Sequence, residues 1–255
     1  MKTHEDFQAM NLFKESIDVC REALKKVEVH EELTYHYAII RLYSKLIVTN
    51  CSIYILLFNG FPDDAMALCR LLYEGLVIID TLLKGKQRND TDLLERFMDA
   101  PIIMALKNDY ETLSFALKHD SNDQGAQSQI KMIKLEIQQY LEKHQKENIR
   151  DFSDYWWSGY RNFSEMAQHS YFNKYYAYSL LSNKVHMNAF GAFHYLDNSE
   201  PGILLGDTDG GKKQPLLYSS LFLYCSAVII HDEFPEMCPQ NVIDKLKQFS
   251  EKSSC

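Results

Sequence analysis

At 255 residues with 46% hydrophobic and 13% aromatic side chains, the chain has ample material for a large core, which excludes an intrinsically disordered class. Only 10 glycines and 6 prolines punctuate it, too few turn residues for a many-stranded sheet. The formal net charge of −8 supplies no global positive field for nucleic acid, so any RNA contact has to be local.

Met1 to Phe7 carries His4, Glu5 and Asp6 where a secretory leader needs a basic end and an apolar stretch, so a cytoplasmic location is expected. The six cysteines (Cys20, Cys51, Cys69, Cys225, Cys238 and Cys255) form no CxxC pair and read as reduced, mostly buried thiols. Phe7, Met10, Phe13, Ile17, Cys20, Leu24 and Val27 recur at three- and four-residue spacing, which predicts a first amphipathic helix. A second helix is read from about Glu31 to Phe58, ending at Asn59-Gly60. Phe61-Pro62-Asp63-Asp64 opens the third, with proline in the first turn and two acids at the positive end of the helix dipole.

That third helix is nearly all apolar from Asp63 to Asp80, interrupted inside by Arg70 and Glu74 alone. A helix apolar all round is expected to be buried, so both charges are expected to go in with it. The order arginine before glutamate at i, i+4 is the weaker one, which predicts that each looks outward to another helix.

Further helices are read over Asp90–His119, with Pro101 as a candidate bend, and over Gln127–Glu147, with Ser121–Gly125 as the polar turn between them. After the aromatic segment Tyr155, Trp156, Trp157 and Tyr160, either Asn162 or Ser164 is expected to cap a short helix carrying Glu165 and His169. A helix over Tyr171–Ala189 follows, then Phe190–Lys213 as the one long loop, about 190–214. Buried Pro215–His231 and amphipathic Pro239–Ser250 complete the series. Tyr37–Phe58 is broken by polar residues, and Pro215–Ile230 is shorter than the ~20 apolar residues of a membrane span, so both are read as core helices and no membrane partner is expected. The fold class is all-α, a single multi-helix bundle over 1–255. Its N-terminal helix 5–28 and C-terminal helix 239–250 are candidates for peripheral positions.

For chemistry, the helix carrying Ser179, Ser182, Asn183 and His186 is the best partner for Arg70 and Glu74. Histidine shuttles protons near neutral pH, arginine clamps phosphate and glutamate fixes a ring tautomer, so Arg70, Glu74 and His186 are the candidate catalytic residues. A structural network locking two helices explains the same three residues equally well. Ser182, Asn183, Trp157 and Tyr178 are candidate binding residues, the aromatics offering base-stacking faces or ordinary core packing. Glu165 and His169 lack a third ligand and read as a surface pair; no metal or cofactor is expected.

The phrases Asn59-Gly60-Phe61-Pro62-Asp63-Asp64-Ala65, Arg70-Leu71-Leu72-Tyr73-Glu74, Tyr155-Trp156-Trp157-Ser158-Gly159 and Tyr178-Ser179-Leu180-Leu181-Ser182-Asn183-Lys184-Val185-His186 together resemble the bacterial domain-of-unknown-function family numbered 5677. That family in turn looks like a distant relation of the HEPN helical domains, many of them metal-independent ribonucleases of toxin and abortive-infection systems. The resemblance implies a homodimer that brings two polar clusters together on RNA or a nucleotide. The sequence departs from the HEPN signature in having Leu181 five residues before His186, so Arg70 would have to substitute from another helix. A non-catalytic helical interaction module with a partner protein is the alternative.

Overall fold

A computed structural model describes residues 4–29, 34–173 and 212–253, and every element among them is helical. The helices are α1 His4–Leu24, α2 Tyr35–Phe58, α3 Pro62–Gln87, α4 Thr91–His119, α5 Gln124–Lys143, α6 Phe163–Gln168, α7 Lys213–Glu233 and α8 Gln240–Ser253. Single 3-10 turns lie at Ile149–Asp151 and Trp156–Ser158. The all-α expectation therefore holds. Of the helix expected over Tyr171–Ala189, Tyr171 and Phe172 form a turn and Asn173 is not helical; residues 174–189, and the expected 190–214 loop up to 211, lie outside the described residues.

Helix ends follow from local chemistry. Thr34 caps α2, its hydroxyl accepting from Tyr37 N at 3.1 Å. At the other end Gly60 takes φ +85°, and Phe61 N donates to Leu56 O while Gly60 N donates to Leu57 O. That crossed pair of bonds closes a helix with a left-handed residue, the conformation glycine adopts without cost. Asn89 (φ 55°) does the same after α3, and Gln145 (φ 52°) after α5. α5 begins three residues before the expected Gln127 because the Asp123 carboxylate accepts from Ala126 N and starts the helix there. α4 runs unbroken through Pro101, and Asn162 rather than Ser164 caps α6, accepting from Glu165 N at 2.9 Å.

The chain divides into two compact units, Met1–Leu83 with Ala167–Cys255, and Lys84–Met166. In the first, α1 packs on α2 and α8, and α7 packs on α2 and α8. Phe13 of α1 stacks on Phe249 of α8 with centroids 5.5 Å apart, and Tyr73 of α3 meets Phe222 of α7 at 5.6 Å. A methyl group on Gly75 would collide with the Leu46 side chain, so glycine is what lets α3 approach α2 there. α2 and α7 are long and apolar enough to cross a membrane by length and composition, and each buries about half of its most apolar stretch in the protein. The second unit is built on the antiparallel pair α4 and α5, closed at one end by the Trp156–Ser158 turn against α4.

Buried thiols thread the first unit. Cys20, Cys69 and Cys238 are buried, Cys51 and Cys225 half-buried, and all five are free. Burial pushes the Cys20 thiol up to about 11, Cys225 to about 11 and Cys238 to about 12, with Cys69 raised further still. The Tyr43 hydroxyl lies beside Cys20 and Cys238, and burial lifts it well above the usual phenol range.

Candidate functional site

α3 carries the two candidate residues that the structure describes in the first unit. Arg70 Nε donates to Glu74 Oε1 at 3.0 Å, one turn apart on one face. The weaker residue order thus still closes a bond within the helix when both side chains lie against one partly covered face. The expectation of full burial is corrected, because Arg70 keeps 24% and Glu74 19% of its side chain exposed. The half-exposed stripe of α3 runs through Ala67, Arg70, Glu74 and Ile78 with Leu71 46% exposed beside it, so apolar residues occupy positions that face solvent.

The buried charge of this helix is Asp80, 6% exposed. Its Oδ2 accepts from Tyr171 N at 3.0 Å, and one helical stretch earlier the Tyr73 hydroxyl donates to Phe172 O at 3.0 Å. Two side chains of α3 thereby fix the turn from which the chain departs towards Ser182, Asn183 and His186. Those three residues and Tyr178 lie outside the described residues. Nearby, Cys69 Sγ donates to Pro215 O at 3.4 Å and ties α3 to the start of α7.

Trp157 belongs to the second unit and the Arg70–Glu74 pair to the first. It is a buried ring, edge-on to Phe97 at 4.9 Å, while its carbonyl accepts from Arg96 Nε at 3.0 Å. Packing is its observed use. Glu165 is taken up by Arg161, whose backbone N and Nε both donate to Oε2, at 2.8 and 3.2 Å. No group of three or more metal-ligating side chains occurs among the described residues.

The sequence reading missed a second polar centre. His144, buried at the end of α5, holds Asp99 of α4 through Nε2 and Oδ2 at 2.9 Å, and Lys143 Nζ meets the same oxygen at 2.7 Å and Glu95 at 2.8 Å. Asp99 and Glu95 together raise the Lys143 ammonium above its ordinary value. The His144 ring is walled by Trp156, edge-on at 4.8 Å, and Phe152 at 6.1 Å. Asp99 and His144 stand 45 positions apart, which no local pattern reveals, and the helix read to Glu147 ends at Lys143, leaving His144 as its cap.

Residues 36–203, well over half of the chain, match the model of a family of unknown function, DUF5677. No curated protein and no solved structure matches the chain.

Proposed function

The chain belongs to the DUF5677 family, and on that premise we propose that it is a HEPN-like effector of a bacterial defence or toxin-type system. In this reading it is cytoplasmic, works as a dimer, and is a metal-independent endoribonuclease or a nucleotide-binding protein. Arg70, Glu74 and His186 are its working groups, and Ser182, Asn183 and Tyr178 serve binding, while buried Trp157 drops out of that set. The observation that carries it is the Arg70–Glu74 pair: an otherwise apolar helix keeps two hydrogen-bonded charges at a face that solvent reaches. Glu74 holds the guanidinium by Nε and so fixes its orientation, which is what a phosphate clamp requires. The chain leading to His186 starts from a turn fastened to the same helix by Tyr73 and Asp80, which supports their approach.

Chemically, His186 would take the proton of a ribose 2′-hydroxyl, the 2′-oxygen would attack the adjacent phosphorus, and the 5′-oxygen would leave as an alcohol on reprotonation. Arg70 would balance the charge gathering on the phosphate oxygens. The product is a 2′,3′-cyclic phosphate. RNA treated with the purified protein in EDTA is expected to carry cyclic phosphate ends. His186→Ala and Arg70→Ala are each expected to abolish cutting while the protein stays folded. An inactive wild type that binds no nucleotide overturns the reading.

The second reading is a non-catalytic interaction module in which the Arg70–Glu74 bond is structural. Under that reading the three side chains lock the bundle, so His186→Ala and Arg70→Ala each lower the melting temperature substantially, and a stable but inactive variant counts against it.

A further inference from the structure

α1 and α8 pack side by side in the first unit, and a cavity of about 370 Å³ lies between them. That volume falls in the range of small-molecule sites, roughly 300–1,000 Å³. On α1 the cavity is lined by Leu12, Glu15, Ser16, Asp18 and Val19, and on α8 by Lys245, Gln248 and Phe249. Both sets recur at three- and four-residue spacing, so each is one continuous helix face. The deepest part of the lining is apolar: Phe249 is buried and stacks on Phe13 with centroids 5.5 Å apart, and Leu12 and Val19 add aliphatic surface.

The two walls differ in sign. The α1 wall offers acceptors: Glu15 and Asp18 bring carboxylates, and Ser16, 4% exposed, gives its proton to Leu12 O at 2.9 Å, so what its oxygen has left to offer is lone pairs. The α8 wall offers the Lys245 ammonium and the Gln248 amide. Asp18 is already met by Lys14 at 2.7 Å, whereas Glu15 and Lys245 make no ion pair with each other or with any described residue. Two opposite charges thus stand on opposite walls of one cavity without bridging it. The ligand that fits carries both charges itself, with an apolar body for Leu12, Val19 and Phe249. A purely anionic ligand would meet the carboxylates of Glu15 and Asp18, and a purely cationic one the Lys245 ammonium, so each is disfavoured by one wall.

We propose that the α1–α8 cavity binds a free α-amino acid with an apolar side chain, its ammonium on Glu15 and Ser16 and its carboxylate on Lys245. The site uses none of Arg70, Glu74 and His186 and is independent of the function proposed above. The test is calorimetric titration of the full chain with L-leucine and with two analogues that each lack one charge, isoamylamine and 4-methylpentanoate. L-leucine is expected to bind and to shift the methyl NMR signals of Leu12 and Val19, and each analogue to bind at least about fivefold more weakly. Glu15→Gln and Lys245→Met should each weaken L-leucine by a similar factor, while Lys247→Met, an exposed lysine of α8 outside the lining, should leave its affinity unchanged. Glu15→Gln should also erase the advantage of L-leucine over 4-methylpentanoate, and Lys245→Met its advantage over isoamylamine, a pairing of variant with analogue that general damage to the fold would not produce. No binding of L-leucine at millimolar concentration, an analogue that binds as tightly, or an affinity that either charge variant leaves unchanged overturns the proposal. RNA cleavage plays no part in the readout, so its absence leaves this result intact.

Discussion

Asp80 shows how one side chain can matter more than the pair that stands out in the sequence. It is buried, its carboxylate receives the Tyr171 amide, and nothing in its spacing distinguishes it from Asp63 or Asp64 of the same helix. Asp80→Ala is expected to cost about 1–3 kcal/mol in urea unfolding, because a buried amide loses its acceptor, whereas Asp64→Ala on the exposed first turn should cost well under 1 kcal/mol. Equal costs for the two would show that the Tyr171 contact contributes little. The sequence pointed to Arg70 and Glu74 because Ala67, Leu71 and Ile78 occupy the outward stripe and disguise it as core. Apolar side chains at half-open positions erase the contrast on which a period of 3.6 depends.

At the scale of elements, helix existence was legible nearly throughout, and helix ends only where their chemistry is strong. Asn59-Gly60 announced the end of α2 because glycine takes the left-handed position cheaply. Gln145 in the same role after α5 gave no such notice, and Asp123 looked like part of a polar turn until its carboxylate was seen capping Ala126. The α4–α5 pairing is clasped at its inner end by His144 on Asp99, with Lys143 on the same carboxylate. His144→Ala is expected to lower stability by about 1–3 kcal/mol. The coupling with Asp99→Ala in a double-mutant cycle should exceed the few tenths expected for independent sites. A cycle that closes additively would mean the two side chains merely coincide.

Across the whole molecule the thiols set a limit on alkaline stability. In an unfolded chain they titrate near 9, while burial holds Cys20 to about 11 and Cys238 to about 12. Above pH 9 the folded form therefore retains protons that the unfolded form sheds, so stability is intact below that point and declines as pH climbs towards 11. Each such thiol removes about 1.4 kcal/mol per pH unit within the window. Unfolding measured in urea from pH 7 to 10.5 should show this slope, and Cys238→Ala should flatten it by one thiol's share; an unchanged slope would place the titration elsewhere. The burial of Cys20 and Cys69 was legible from their helical positions, whereas Cys238 is buried in the connection between α7 and α8. Whether His186 meets Arg70 was not, since two segments more than a hundred positions apart leave no shared local signal. What fixes Arg70 in space is plainer. Gly75 lets the Leu46 side chain seat against bare backbone, the way a pin enters a notch cut in a shaft. Sliding α3 along α2 by a single residue would bring Glu74 or Leu76 to that notch and jam it. The guanidinium one and a half turns away is accordingly held at a set height, and whatever it grips must come to it.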